Sequence, residues 1–387
     1  MLHRLLWLLL LAGWGYWLLT LSLMRRFFRS RAREEGVFLP PVSILKPVRG
    51  VDHEAYENLR SFCRQDYPHF ELLVGGNDPE DPYVALVERL KREFPHLAIR
   101  LVVVPPLGAN RKVGILHRLA AEARHEILVI NDSDTRVGPD YLRRVVAPLA
   151  DERVGLVTCP YRGEEALSFP AVLEALYLGA TFLPSVMVAR YVLAMRFALG
   201  ATVVLRAADL EKIGGFASFA DYLADDYQLG ARLAALGLRV HLADYVVSCV
   251  LGSTTWRDAW HREVRWARCS RLSRPWGYLG LPLTFSTPWA LVFCLGYGGE
   301  FPGWAVLVAS LLCRWWVARG AADCLGDRTT RANLFWLPLR DLLTAVVWVA
   351  GLWGRRVVWR GESFRLHRDG RMESELSSAD RCLATDH

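Results

Sequence analysis

The chain has 387 residues, 52% of them apolar, with 15 Trp and a formal net charge of +7. The length fits one large domain or two ordinary ones, and the apolar share points to contact with lipid rather than to a purely soluble enzyme. The positive charge is spread along the chain without any nucleic-acid motif, which argues against nucleic acid and leaves a membrane surface or a phosphorylated substrate as its partner.

The first element is LLWLLLLAGWGYWLLTLSL, Leu5 to Leu23, a run without a charge. It is long enough to span a hydrocarbon core. A signal peptide is the competing reading, but the run exceeds an ordinary signal core and no cleavage site comes after it. Instead come Arg25, Arg26, Arg29, Arg31 and Arg33, which place the next domain in the cytoplasm. The eight Cys show no CxxC pair and no metal spacing, as expected of reduced thiols in a core.

From about residue 40 to 250, short runs rich in Val, Ile and Leu alternate with helical stretches. The runs are VSILK, ELLVG, IRLVVV, EILVI and GLVTC. This rhythm predicts a largely parallel sheet covered by helices, with ligands beyond the carboxyl ends of the strands. Acidic residues stand there. ELLVG leads to Asp78 and Asp81, EILVI to Asp132 and Asp134, and GGFASFADYLADDYQLG carries Asp225 and Asp226. Helix capping is the bland account of such residues, and it suffices for Asp140. Two carboxylates at i and i+2 directly after an apolar strand suit a hard cation, Mg²⁺ or Mn²⁺, bound together with a diphosphate. There is no GxGxxG, no P-loop and no nucleophile elbow, so dinucleotide redox chemistry and P-loop phosphoryl transfer are unsupported.

The stretch 165–200 is unusually apolar for such a domain. It reads either as an interfacial helical pair lining the entry of an acceptor or as a buried core helix. HREVRWARCS comes later, at His261–Ser270. As a helix it sets Arg262 and Arg265 on one face, with planar guanidiniums suited to phosphate oxygens and Trp266 placed to stack on a sugar or acceptor. A membrane-surface helix is the competing account, and Trp256 and Trp260 fit it. Three apolar segments come next, at about 278–299, 301–318 and 334–353. Pro338, Arg340 and Asp341 interrupt the third, which predicts a re-entrant or interfacial segment, two full spans and a basic cytoplasmic tail.

Together the motifs resemble the ceramide glucosyltransferase family of membrane glycosyltransferases, including its bacterial hopanoid-associated branch. The matching stretches are VSILKPVRG, ENLRSFCRQDYP, the aspartate of GGNDPEDP, NDSDTRV, GLVTCPYRG, YLADDYQLG and REVRW. The resemblance implies a GT-A type nucleotide-sugar domain of α/β class with a mostly parallel sheet. It implies inverting transfer of a hexose from a UDP-sugar to a hydroxyl of a membrane lipid, ceramide or a hopanoid-type acceptor. Carried over residue by residue, Asp78 stands near the uridine and Lys112 on the donor side. Asp132 and Asp134 hold the metal and diphosphate, Asp226 is the catalytic base, and Arg262, Arg265 and Trp266 form the RxxRW motif. Family members often have Asn soon after the lysine. This chain has Gly114 and Ile115, which leaves the hexose open between glucose and N-acetylglucosamine or galactose. VVSCVLGST departs from the His common in the hopanoid branch, which leaves the acceptor open. A processive polysaccharide synthase, a polyprenyl-phosphate sugar transferase and a silent nucleotide-sugar-binding scaffold are the alternatives.

The expected organisation is a transmembrane helix over 1–25, the catalytic domain over 26–252 and an amphipathic interfacial helix over 253–276. Membrane helices over 277–356 and a basic tail over 357–387 complete it. The expected location is a cell membrane, a bacterial inner membrane, crossed several times, with the catalytic domain in the cytoplasm.

Overall fold

The computed structural model describes residues 2–29 and 38–375. Arg31, Arg33 and the last part of the tail lie outside the described residues.

The five anticipated runs form strands β1 (Val42–Pro47), β2 (Phe70–Gly76), β3 (Ala98–Val103) and β4 (Ile127–Ile130), and, after a two-residue β5 (Thr135–Arg136), β6 (Val154–Thr158). After them come β7 (Tyr161–Ala166), β8 (Val203–Arg206), β9 (Arg239–Leu242), β10 (Val247–Gly252) and, near the C-terminus, a group that begins with β11 (Arg356–Trp359). The main sheet has seven strands in the order β3-β2-β1-β4-β8-β6-β9. β8 alone runs antiparallel to its neighbours, so the sheet is mostly parallel. β5, β10 and β7 make a second, three-stranded sheet.

Alternation along the central strands feeds two cores. Ile44, Leu72 and Val129 face one side. Leu45, Leu73 and Leu128 face the other, where they share a core with Met24 and Phe27 of the N-terminal helix (Leu2–Arg29). Burying each of these two side chains contributes roughly 2 kcal/mol to docking that helix, so the apolar N-terminal segment and the sheet domain are one packed body.

Among the described residues, four helices are long and apolar enough to cross a membrane: His3–Arg29, Phe169–Tyr191, Phe301–Leu325 and Leu334–Leu352. Within the 165–200 stretch, Phe169–Tyr191 is thus one helix with a π-turn at Leu178–Phe182, not a pair. It is buried over 67% of its apolar window, because it packs between the sheet domain and the Phe301–Leu325 helix.

The sharp break lies in the first C-terminal segment. Pro275–Thr284 and Ser286–Gly296 meet at 50°. Pro288 has no N–H to offer the carbonyl four residues back, and the freed Thr284 carbonyl instead accepts from the Trp17 indole at 2.8 Å. The third segment, by contrast, is continuous from Leu337 to Leu352, with Pro338 in its first turn, where a missing N–H costs nothing. Its charges are matched inside the protein. Arg340 makes a bidentate pair with Glu263 at 2.6 and 2.8 Å, and Asp341 accepts from Arg314 at 2.7 and 3.0 Å. This helix lies along the Trp256–Ser273 helix. Glu263 holds its start, and Arg271 and Arg268 donate to the carbonyls of Leu352 and Trp353 at its end.

The described part of the tail, up to Glu375, is folded. β11 pairs with β12 (Glu362–Leu366) and β12 with β13 (Met372–Ser374). Val357, Phe364, Leu366 and Met372 close over Leu223, and the Met372 N–H donates to the Asp221 carbonyl at 2.6 Å. The hairpin therefore covers the segment that leads to Asp225 and Asp226.

Candidate active site

Asn131 organises the centre. It is fully buried, and its amide donates to Tyr141, Thr202 and the Ala201 carbonyl, each at 2.9 Å. One side chain thereby ties the end of β4 to the loop before β8. Asp132 is the next residue, and Gly200 is brought beside it. An Oδ of Asp132 and an Oδ of Asp226 each lie 3.5 Å from the point where a Cβ on Gly200 would stand. The residues singled out after β4 and at the start of the Asp225–Ala235 helix thus converge on one spot.

Lys112 connects them. It sits in the first turn of the Arg111–Glu122 helix, whose N-cap Asn110 accepts from the Val113 N–H. Its Nζ reaches Asp132 at 2.7 Å and Asp225 at 3.1 Å. Burial alone would lower its pKa, but Asp132 and Asp225 overcome this and hold it above the ordinary lysine range. Asn110 also donates to the Tyr222 carbonyl at 2.8 Å, so the lysine's helix and the Asp225 segment are locked together. Gly114 is explained here: a Cβ would stand 2.5 Å from the Leu107 carbonyl oxygen, so the lysine's helix turns too close to its own loop for any side chain.

Asp134 has no hydrogen-bond or ion-pair partner for its carboxylate among the described residues. Its backbone carbonyl accepts from the Val250 N–H of β10 at 2.8 Å. Burial, then Asp132 and Asp52, push its pKa up to about 7. An unpartnered carboxylate beside another is a pair of hard oxygen donors that a divalent cation would satisfy. Asp226 is raised to about 7 as well, by burial and then by Asp225, and accepts from the Tyr227 N–H at 2.7 Å.

One important residue was not anticipated. Lys46, inside the apolar β1, is fully buried. Its Nζ donates to the Asp132 carbonyl at 2.5 Å and to Thr135 Oγ1 at 3.0 Å, with the Phe62 ring 4.1 Å away. Burial lowers its pKa to about 7 against the opposing pull of Asp134, Asp132 and Asp52. A lysine at the end of an otherwise apolar strand was the available signal. Asp52, which accepts from Ser133, also lies beneath the aspartate loop.

The RxxRW residues separate. Arg262 pairs with Glu174 at 2.5 Å and donates to Thr254 at 3.2 Å, so its guanidinium is engaged by partners that Arg265 does not share. Arg265 forms no ion pair among the described residues. Its guanidinium lies 5.3 Å from the Trp359 ring of the hairpin. Burial pushes its pKa down, while Asp225 and Asp132 are near enough to oppose this. Trp266 stacks on Tyr177 at 6.2 Å and 19°. Trp256 and Trp260 stand 55% and 40% exposed on the same helix. Asp78 is exposed just beyond β2 and accepts from the Glu80 N–H, with β1 standing between its strand and β4.

Residues 5–372 match glycosyl transferase family 21. The chain belongs to that family. Curated relatives of this glycosyltransferase include ceramide glucosyltransferase 1 of Caenorhabditis elegans, 24% identical over 88% of this chain and 74% of that one. The ceramide glucosyltransferase of Komagataella phaffii is 30% identical over 36% of this chain and 28% of that one. Among solved structures, the mannosyltransferase PcManGT of Pyrobaculum calidifontis, in complex with GDP-Man and Mn²⁺, superposes with a TM-score of 0.54 at 21% identity, over 91% of this chain and 99% of that one. The fold is of GT-A type, and the family 21 match together with the apolar helices makes this glycosyltransferase a membrane protein.

Proposed function

We propose that the protein transfers a hexose, glucose or N-acetylglucosamine, from a UDP-sugar to a hydroxyl of a membrane lipid of ceramide or hopanoid type, with inversion. The observation that carries this is the convergence of Asp132 and Asp226 beside Gly200, with the unpaired Arg265 close by. Asp226 takes the proton of the acceptor hydroxyl. The acceptor oxygen attacks C1 of the sugar from the face opposite the diphosphate, the C1–O bond to UDP breaks, and its electron pair leaves on the β-phosphate. Lys112 and Arg265 are the cations that meet the departing charge. Asp132 and Asp134 would hold Mg²⁺ or Mn²⁺, which supplies Lewis-acid neutralisation of the diphosphate. Asp78 contacts the uridine. The PcManGT complex with a nucleotide sugar and Mn²⁺ and the ceramide glucosyltransferase relatives support the donor, metal and acceptor classes.

Arg25, Arg26 and Arg29, at the end of the first helix, put the catalytic domain in the cytoplasm. The bent 275–296 segment and the Phe301–Leu325 helix cross outward and back. The Leu337–Leu352 helix lies at the interface beside the Trp256–Ser273 helix, which returns the hairpin to the catalytic side. Mass spectrometry of lipids formed from UDP-sugars tests the reading. A lipid bearing one hexose is expected, and a ladder of oligosaccharides would replace this reading with a processive synthase.

A further inference from the structure

A cleft of about 680 Å³ opens between the N-terminal helix and the Phe301–Leu325 helix. Leu18 and Trp316, both nearly half exposed, form its apolar walls. Arg25, Arg26 and Arg29 ring one end, beside the Ser22 hydroxyl. The base is closed because the helices touch there: a Cβ on Gly320 would stand 2.6 Å from Leu21 Cδ1. Its height relative to the catalytic domain is fixed, since Met24 and Phe27 from the same turns are packed in that domain's core.

The three guanidiniums are unneutralised among the described residues. Arg25 stacks over Trp316 and Arg26 over Tyr191, each at 5.3 Å. None of the three has an ion pair among the described residues. Asp323, the carboxylate at this end of the neighbouring helix, is engaged by Arg319 and Arg331 at 3.5 and 3.3 Å. The cleft shares no residue with the catalytic cluster.

We propose that this cleft binds the headgroup of an anionic phospholipid. Planar guanidiniums match phosphate oxygens, basic pockets between membrane helices recognise anionic headgroups, and the Leu18–Trp316 wall receives the start of an acyl chain. A choline headgroup would bring a fourth cation among the three arginines, so a zwitterionic lipid is disfavoured. The inference rests on the reading of the first helix as a membrane span.

The test is native mass spectrometry of the full-length, delipidated protein titrated with phosphatidylglycerol or phosphatidylcholine. Wild type is expected to retain phosphatidylglycerol roughly tenfold over phosphatidylcholine. Arg25→Gln/Arg26→Gln/Arg29→Gln is expected to lose that preference, and Arg29→Gln alone, at an exposed position, to lower it severalfold. An unchanged ratio in either variant overturns the site. Excess free glycerol phosphate should leave the lipid bound; displacement would overturn the assignment to a lipid. Flotation on phosphatidylcholine vesicles reports the membrane reading separately. Wild type and variants are expected to float alike, and a wild type that stays in solution would overturn that reading and the inference with it.

Discussion

Arg262 and Glu174 form a 2.5 Å ion pair, whereas Arg265, on the next turn of the same helix, has no carboxylate partner among the described residues. One motif therefore supplies two different things: a brace to the neighbouring helix and a cation without a carboxylate partner, which the proposed reaction uses.

This division predicts opposite phenotypes. Arg265→Lys keeps the charge but loses the planar fork and its contact with Trp359, so kcat should fall about a hundredfold with normal thermal stability. Arg262→Ala should instead lower stability by about 2 kcal/mol, because buried Glu174 loses its charged partner. Paired kinetics and thermal unfolding in detergent separate the two.

Asp226 sets the expected pH profile. Its pKa stands at about 7 in the folded protein against about 4 in an unfolded chain. As a base it works only when deprotonated, so kcat/KM should rise with pH up to about 7 and then level. The sign for stability is the reverse. The folded state holds an extra proton between these two values, so stability without substrate should fall as pH rises from about 4 to 7. Asp226→Asn should abolish the rise in rate and remove part of the fall in stability, the rest belonging to Asp134, read by initial rates and by melting across pH.

Asp134 supplies a prediction about metal. A chelator should abolish activity, and Mg²⁺ or Mn²⁺ should restore it. Asp134→Asn should raise the cation concentration needed for half-maximal rate by roughly tenfold or more, measured by cation titration of UDP release.

The Arg314–Asp341 pair, 2% and 9% exposed, belongs to the packing of the membrane helices. Asp341→Ala strands the buried guanidinium and should cost about 3–5 kcal/mol. Arg314→Met/Asp341→Leu should recover most of that loss, as thermal unfolding in detergent would register.

The five apolar strands and the aspartates after them were legible because a parallel sheet demands continuous apolar runs and leaves the loop after each strand open to ligand. Asp132 and Asp226, nearly a hundred residues apart, belong to one edge on that ground, and the structure brings them together. β8 was not legible: Val203–Arg206 is a four-residue strand behind a long apolar helix, without its own boundary signal. Lys46 was hidden because a buried amine looks like a strand-end charge until its partners, the Asp132 carbonyl and Thr135, are in place. Arg340 and Asp341 suggested a re-entrant or interfacial segment, and that they are matched inside the protein was not legible, since their partners Glu263 and Arg314 are remote in sequence. The hairpin at 356–374 was masked by its many arginines, which read as a solvated tail although Val357, Phe364, Leu366 and Met372 alternate into a small core.

The most direct measurement is UDP release by the full-length enzyme in detergent micelles, using a panel of UDP-sugars with lipid acceptors, for wild type and for Asp226→Asn. The account predicts acceptor-dependent release by wild type, about a thousandfold slower release by the variant, and equal melting temperatures at acid pH. Wild type that binds UDP without turnover, or Asp226→Asn that turns over like wild type, would contradict it.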